Sequence, residues 1–212
     1  MTRFMLVLLL VVPLITFAQE NKETSKEASS NLRQYYSGKF GFYQPSDGLN
    51  NGLMFGIDGI TEFLRYNFIL TGAVDFYTKQ TIGIFNKDPK PNVLQQAIVL
   101  LPLHVNAGMQ LFNVPDADSR GYAGVGVGYY LYFYSVEYQT SSGGIIGGFG
   151  SQTDSKNGGN IFGSVFLRLL IGKVFVEPRF YLAAKKEDTV GGGHQFVINP
   201  SGFAVTFGFQ YH

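Results

Sequence analysis

The closing segment, Phe203-Ala-Val-Thr-Phe-Gly-Phe-Gln-Tyr-His212, alternates strictly between large apolar residues and small or polar ones. Side chains of a strand alternate with period two, so Phe203, Val205, Phe207, Phe209 and Tyr211 share one face. Ala204, Thr206, Gly208, Gln210 and His212 share the other. A chain built from such ribbons must find an apolar solvent for one face and fill the space behind the other. Strand signals of this kind recur near 37–44, 53–60, 64–78, 96–112, 121–138, 161–171, 173–184 and 202–211, which makes eight.

What precedes them points to export. Arg3 is followed by the apolar run Phe4 to Phe17, and Thr16-Phe-Ala18 precedes Gln19, the layout of a signal peptide over residues 1–18. The run is well short of the ~20 apolar residues a spanning helix needs, and no basic cluster follows it. Residues 19–35 are polar and lack periodicity, which predicts a flexible periplasmic tail; residues 36–212 then form one domain. The chain has 16 basic and 15 acidic residues, and removing 1–18 takes away Arg3 alone, leaving 15 against 15. That neutrality argues against a nucleic-acid partner. With no Cys there is neither a disulfide nor a thiolate metal site, nor a lipid anchor through an N-terminal Cys.

The faces decide the solvent. Strand three sets Leu70, Val74 and Phe76 against Thr71, Asp75 and Tyr77, and strand four sets Leu101, Leu103 and Val105 against His104 and Asn106. Strand five sets Val125, Val127 and Leu131 against Gly124, Gly126, Gly128, Tyr130, Tyr132 and Tyr134. The apolar faces are free of charge over about nine to eleven residues, the length a tilted strand needs to cross a bilayer. The opposite faces carry Lys39, Asp58, Arg65, Asp75, Arg168, Glu177 and Arg179 in mid-strand. These are expected to form a lumen charge network, with His104, Asn106, Tyr130, Tyr132 and Tyr134 as polar and aromatic filling. A soluble barrel would show the same period, but a core of ion pairs would leave it no apolar pocket. The expected fold is therefore all-β: an eight-stranded antiparallel transmembrane barrel in an up-and-down meander. Tyr36, Phe63, Tyr66, Phe112 and Tyr211 near strand ends suit an interfacial girdle.

If the first strand starts on the periplasmic side, the loops 79–95, 139–160 and 185–201 face outward and the even-numbered connections become short inner turns. Ile145, Ile146 and Phe149, apolar residues in a Gly-rich outer loop, are candidate contacts for a partner or a surface glycolipid, or a cover for the barrel mouth.

The stretch Gly121-Tyr-Ala-Gly-Val-Gly-Val-Gly-Tyr-Tyr130, the strand Val176-Glu-Pro-Arg-Phe-Tyr181 and the terminal Gly202–Tyr211 strand resemble the small outer-membrane β-barrel family, relatives of the OmpA transmembrane domain, OmpX and OmpW. The resemblance covers about residues 36–212. It implies the cell outer membrane of a Gram-negative bacterium, contact with outer-membrane lipid, and insertion by the barrel assembly machinery through the terminal strand 203–211. Two departures stand out: His212 follows the terminal aromatic, and Pro102 and Pro178 lie inside strands, where each removes a ladder donor and predicts a bulge or a strand end.

Other motifs carry little chemistry. Gly124-x-Gly126-x-Gly128 lies within a β pattern with no helix after it, so it reads as room for interior tyrosines rather than a nucleotide loop. Asp116-Ala-Asp118-Ser-Arg-Gly121 opens like a calcium loop but has Val127 where a Glu is needed, so it reads as a turn. His104 faces the interior with no Ser on its own strand, His212 is terminal, and no His–carboxylate spacing makes a metal site; neither an enzyme nor a cofactor is expected. His194, near Glu187 and Asp188, is the residue around which a lipid-modifying hydrolase would have to be built. The reading is a structural or surface-interaction barrel with a filled lumen; a small-solute channel, a lipid-modifying enzyme and a secreted ligand-binding barrel are the alternatives.

Overall fold

The computed structural model describes residues 31–47, 51–82, 93–141, 149–190 and 194–211. The signal peptide, most of the tail, Ile145, Ile146 and His212 lie outside the described residues. Nine strands run in chain order: β1 (Leu32–Asp47), β2 (Gly52–Phe63), β3 (Phe68–Ile82), β4 (Val93–Val114), β5 (Ser119–Ser141), β6 (Phe149–Ile171), β7 (Val174–Ala183), β8 (Lys186–Val190) and β9 (His194–Tyr211). Each pairs antiparallel with its sequence neighbour, except that β7 pairs with the lower half of β9 and β8 with its upper end. β9 also pairs with β1, from Tyr36 opposite Tyr211 up to Asp47 opposite Asn199. That pairing closes a ring of eight staves: β1 to β7, and β9. β8 is a short continuation beyond β7 that belongs to an outer arm.

The inner turns are tight, and their chemistry is local. β2 and β3 are joined by a 3-10 turn, Leu64–Tyr66, closed by Asn67 at φ 52°. β4 and β5 are joined by Pro115–Ala117, closed by Asp118 at φ 42°. Asn and Asp tolerate this left-handed conformation better than other residues with a side chain, and Gly172 at φ 60° serves β6–β7. Each turn is tied to a neighbour: Gln110 N–H donates to Asn67 O at 2.7 Å, Gly172 N–H to Asp118 O at 2.9 Å, and Gln210 N–H to Lys173 O at 2.8 Å.

The alternation sorts side chains as a membrane barrel requires. Phe40, Phe42, Phe55, Ile57, Val105, Val125, Val127, Phe207 and Phe209 are exposed on the outside. Ser37, Lys39, Asp58, Thr71, Asp75, His104, Asn106, Arg168, Glu177 and Arg179 are buried inside. An inside-out distribution of this kind is stable only when the outside faces hydrocarbon. Tyr36 and Tyr211 stack at 6.1 Å near the inner rim, where Tyr66 and Phe112 are also exposed.

Four expectations need correction. β1 begins at Leu32, so the last residues assigned to the tail are wall. β3 begins at Phe68, because the 3-10 turn breaks the alternation over 64–67; Arg65 is therefore exposed on that turn, 5.8 Å over the Tyr66 ring, and is not in the lumen. Stretches expected as outer loops are largely ladder: β5 and β6 stay in register from Ser119 opposite Ile171 to Ser141 opposite Phe149, and β8 pairs with β9. Pro102 and Pro178 produce neither a bulge nor a strand end. Each instead interrupts pairing on one side at constant register. The β3–β4 ladder skips from Val74–Leu103 to Tyr77–Leu100, and β6–β7 skips from Phe166–Arg179 to Leu169–Val176. A proline lacks only the one N–H that would have bonded that neighbour, so the other side of each strand stays paired.

Candidate functional site

The interior is the site, and it is built in layers. At its centre Lys39 Nζ lies 2.8 Å from Asp58 Oδ1 and 2.9 Å from Asp75 Oδ1. Arg168 Nη2 lies 2.5 Å from both Asp58 Oδ2 and Glu177 Oε2, and its Nε donates to Glu177 Oε2 at 2.6 Å. Arg179 donates to Glu177 Oε1 through Nε at 3.1 Å and Nη2 at 2.8 Å. Its Nη1 donates to Asn106 Oδ1 at 2.6 Å and Ser164 Oγ at 3.0 Å, and lies 3.3 Å from His104 Nδ1. His104 Nε2 lies 2.9 Å from Asp75 Oδ2, which also accepts from the Tyr181 hydroxyl at 3.0 Å. The contacts run Lys39, Asp58, Arg168, Glu177, Arg179, His104, Asp75 and back to Lys39: a closed ring.

Six strands supply it: β1, β2, β3, β4, β6 and β7. The permanent charges cancel, Lys39, Arg168 and Arg179 against Asp58, Asp75 and Glu177. No side chain in the ring is more than 3% accessible. Burying these charges costs several kcal/mol per ion unless each finds partners, and here each does.

Glycines let the ring close. Gly56 is paired with Lys39 on one side and Asp75 on the other, and a Cβ there would lie 2.1 Å from Asp75 Oδ1 and 2.6 Å from Lys39 Cε. Lys39 therefore reaches across the empty position on β2 to a carboxylate two strands away. Gly126 stands in the same relation to Asn106 and Ser164, with a Cβ falling 2.1 Å from Asn106 Oδ1. The glycine run of β5 thus makes room for Asn106, His104, Ser164, Phe162 and Phe166, and not for the tyrosines expected from sequence.

On the outer side of the ring, Tyr43, Met54, Tyr77, Leu100, Tyr130, Tyr132, Phe162 and Tyr181 form an apolar, mainly aromatic layer. Its rings meet edge to face, Tyr43 with Tyr77 at 5.2 Å and Phe162 with Tyr181 at 5.6 Å. Tyr134 lies higher, half-buried and stacked on Phe196 at 4.1 Å. On the inner side, Ile69, Tyr122, Phe166, Leu170 and Phe175 pack together, and Arg168 sits 4.4 Å over the Phe175 ring.

A smaller ionic group closes the inner end. Arg120 Nη1 lies 2.9 Å from Glu62 Oε2, Arg33 lies 3.8 Å from the same oxygen, and the Tyr122 hydroxyl donates to Glu62 Oε1. Sequence reasoning missed this group, although parity would have found it: Glu62 shares its face with Asp58, and Arg120 with the glycines of β5. Ser37 and Ser164, uncharged partners of the network, were also overlooked, because a short hydroxyl on a strand does not advertise which charge it serves.

His104 holds the carboxylate side of a hydrolytic triad in Asp75, but its other nitrogen meets Asn106 and Arg179, and the nearby Ser164 hydroxyl accepts from Arg179. The group is sealed inside the wall and presents no nucleophile to a substrate. Among the described residues, no cluster of three His, Asp or Glu is set to hold a metal ion. His194 and Phe149 open β9 and β6 at the tips of the outer arms.

No family model matches the chain, and no curated protein matches it. Among solved structures it is similar to Ail, the attachment invasion locus protein of Yersinia pestis, at 10% identity, covering 84% of this chain and 97% of that one with a TM-score of 0.45. It is similar to Neisserial surface protein A at 11% identity, covering 85% and 99% with a TM-score of 0.44. A major outer membrane protein from Thermus thermophilus is similar at 12% identity, covering 84% and 100% with a TM-score of 0.43. These likenesses are loose, and the fold assignment rests on this chain alone. A closed antiparallel ring of eight staves, an apolar exterior and a buried polar interior make it an outer-membrane-type transmembrane β-barrel.

Proposed function

We propose that this chain is a surface-interaction protein of the Gram-negative outer membrane, whose wall and filled lumen anchor a protruding β-arm. The observation that carries this reading is the length of β5 and β6, 23 residues each. Such strands run about 75 Å, against the roughly 9–11 residues needed to cross a bilayer, so much of the hairpin stands clear of the membrane. Above Phe162–Ala183, the β7-facing edge of β6 has no ladder partner among the described residues, and β8 meets β6 there through the Lys156–Asp188 side chains rather than through backbone pairing. An unpaired edge is a template on which an extended segment of another chain can add as a strand. The ring and the aromatic layer argue against solute passage, since side chains fill an eight-stranded lumen. The terminal strand, aromatic on its outer face, is the segment that the assembly machinery would read.

Two measurements test the reading. In planar bilayers the wild type is expected to show no stable porin-like conductance; a steady nanosiemens channel would overturn the anchor reading and put solute transport in its place. A variant with residues 137–153 replaced by Asn-Gly keeps the Val136–Asp154 pair and shortens the arm. It is expected to retain its heat-dependent mobility on SDS gels but to lose retention of extended peptides on an array. Equal retention by both proteins would remove the arm from the proposal.

A further inference from the structure

In the outer arm, β8 stands beside the open edge of β6 without joining its ladder. From Tyr181–Gly202 to Lys186–Ile198 the chain advances five residues on the β7–β8 side against four on β9, so one extra residue, a bulge, lies between β7 and β8. Ser201 pins the root of this slip: its Oγ accepts from Ala183 N–H and donates to Ala183 O, both at 2.9 Å. Carried across to β6 from Phe162–Ala183, the same slip sets Asp188 level with Gly158. The side chains agree. Tyr132 is paired with Gly158, its ring crosses the vacant side-chain position there, and its hydroxyl donates to Asp188 Oδ2 at 3.3 Å. Lys156, the next residue along the same face of β6, places Nζ 2.9 Å from Asp188 Oδ1.

Asp188 thus stands where a residue of an added strand would stand, held by an ammonium and a hydroxyl of the β5–β6 hairpin. Two donors converging on one point call for a carboxylate. Both are half-exposed or reached from the arm's surface, and a solvated pair of this kind is weak enough to exchange one partner for another. Taking the arm as the interaction surface proposed above, we infer that β8 is a built-in competitor for the edge of β6. The segment it yields to is an extended peptide with an acidic residue set between Lys156 and the Tyr132 hydroxyl. β8 needs no ladder to compete. While Asp188 occupies the two donors the edge is covered, and the apparent affinity for peptide falls in proportion to the fraction of molecules left open.

The absence of Cys makes a clean test possible. Asn157 and Thr189 are exposed and, in the register just described, stand opposite each other on β6 and β8. An Asn157→Cys/Thr189→Cys variant therefore ties β8 to the edge when oxidised. Full-length protein in detergent is applied to an array of extended peptides made in pairs, with Asp or Asn at the central position. Heat-dependent gel mobility reports that each variant is folded. The oxidised double variant is expected to lose retention, and reduction to restore it. Asp188→Asn, which weakens the competitor, is expected to retain the Asp peptides several-fold more strongly than the wild type. Lys156→Gln is expected to lose the preference for Asp over Asn peptides. Retention by Asp188→Asn with none by the wild type would equally support the proposal. A folded double variant that forms no disulfide would overturn it, as would a lock or an Asp188→Asn change that leaves retention unaltered, or equal retention of Asp and Asn peptides; each leaves the arm as a binding surface. No retention by the wild type, Asp188→Asn and the reduced double variant alike would remove the arm reading itself, and the competitor with it.

Discussion

Two ion pairs of nearly the same length sit in different parts of this molecule. In the lumen, Arg179 Nη2 lies 2.8 Å from Glu177 Oε1, with both side chains all but inaccessible. In the outer arm, Lys156 Nζ lies 2.9 Å from Asp188 Oδ1, with 43% and 20% accessibility. Distance does not separate them; surroundings do. Water screens the arm pair and solvates either partner when the other leaves, so such pairs contribute about 0–1 kcal/mol. Nothing solvates a ring member left alone, and losing one partner of a buried pair costs about 3–5 kcal/mol. The ring is thus an obligatory closure that fixes which face of six strands points inward, whereas the arm pair is an adjustable contact between two hairpins.

The difference between lumen and arm is largest at Glu177, which receives both Arg168 and Arg179. Glu177→Ala leaves two guanidiniums competing for what remains, and is expected to destabilise the inserted barrel by about 3–5 kcal/mol in urea unfolding from vesicles. An effect as small as that of an exposed pair would mean that water reaches the ring. The exterior supplies the next test. Val127 is 61% exposed on the lipid face, opposite Val105 and Gly163. Val127→Arg is expected to cost about 2–4 kcal/mol in the same assay if the site lies near the midplane. Tolerance there would mean that the outer face is not in hydrocarbon. Gly56 tests the geometry of the ring rather than its charge. Gly56→Ala places a methyl against Asp75 and Lys39 without removing either, and overpacking of this kind costs about 1–3 kcal/mol. A neutral outcome would show that Lys39 has another route to Asp75.

The same contrast explains what could be read from the chain. Inside the membrane, every strand must be apolar outward and satisfied inward, so alternation alone assigns Lys39, Asp58, Asp75, His104, Asn106, Arg168, Glu177 and Arg179 to the lumen. It fails at Arg65, where a three-residue turn resets the parity and no residue type marks the change. Above the membrane neither face has an imposed solvent, so Gln152-Thr-Asp-Ser-Lys-Asn-Gly-Gly-Asn160 carries the composition of a loop and yet forms a ladder. Part of what supports it is aromatic. The Tyr132 ring lies over Gly158 and the Tyr129 ring over Gly159, filling positions where β6 has no side chain. That support is set by cross-strand register, which a single strand's sequence does not display. The ring's connectivity was hidden for the same reason: faces follow from alternation, but Gly56 and Gly126 become meaningful only once their neighbours on both sides are known.

The smallest expected effect is at the arm contact, and it is a pH effect. Asp188 accepts a hydrogen bond from Lys156, and this above all holds its carboxyl below the usual carboxylate range; the Thr189 backbone N–H, the Lys156 charge and the Tyr132 hydroxyl add to this, and partial burial opposes it. An acid whose folded value is lowered stabilises the folded contact above its unfolded value of about 3.9, and that contribution is lost as pH falls through the lower, folded value. Docking of β8 beside β6 is therefore expected to be constant from neutral pH down to about 4 and to loosen only below it. Amide exchange at residues 186–190 in micelles reads this directly, with the amides of β7 as the internal reference. In Asp188→Asn the acid-dependent step should vanish, and the exchange at neutral pH should already match that of the acidified wild type. Loosening that begins well above pH 4, or the same step in the Asn variant, would assign the effect to another group and leave Lys156–Asp188 as a contact without energetic weight.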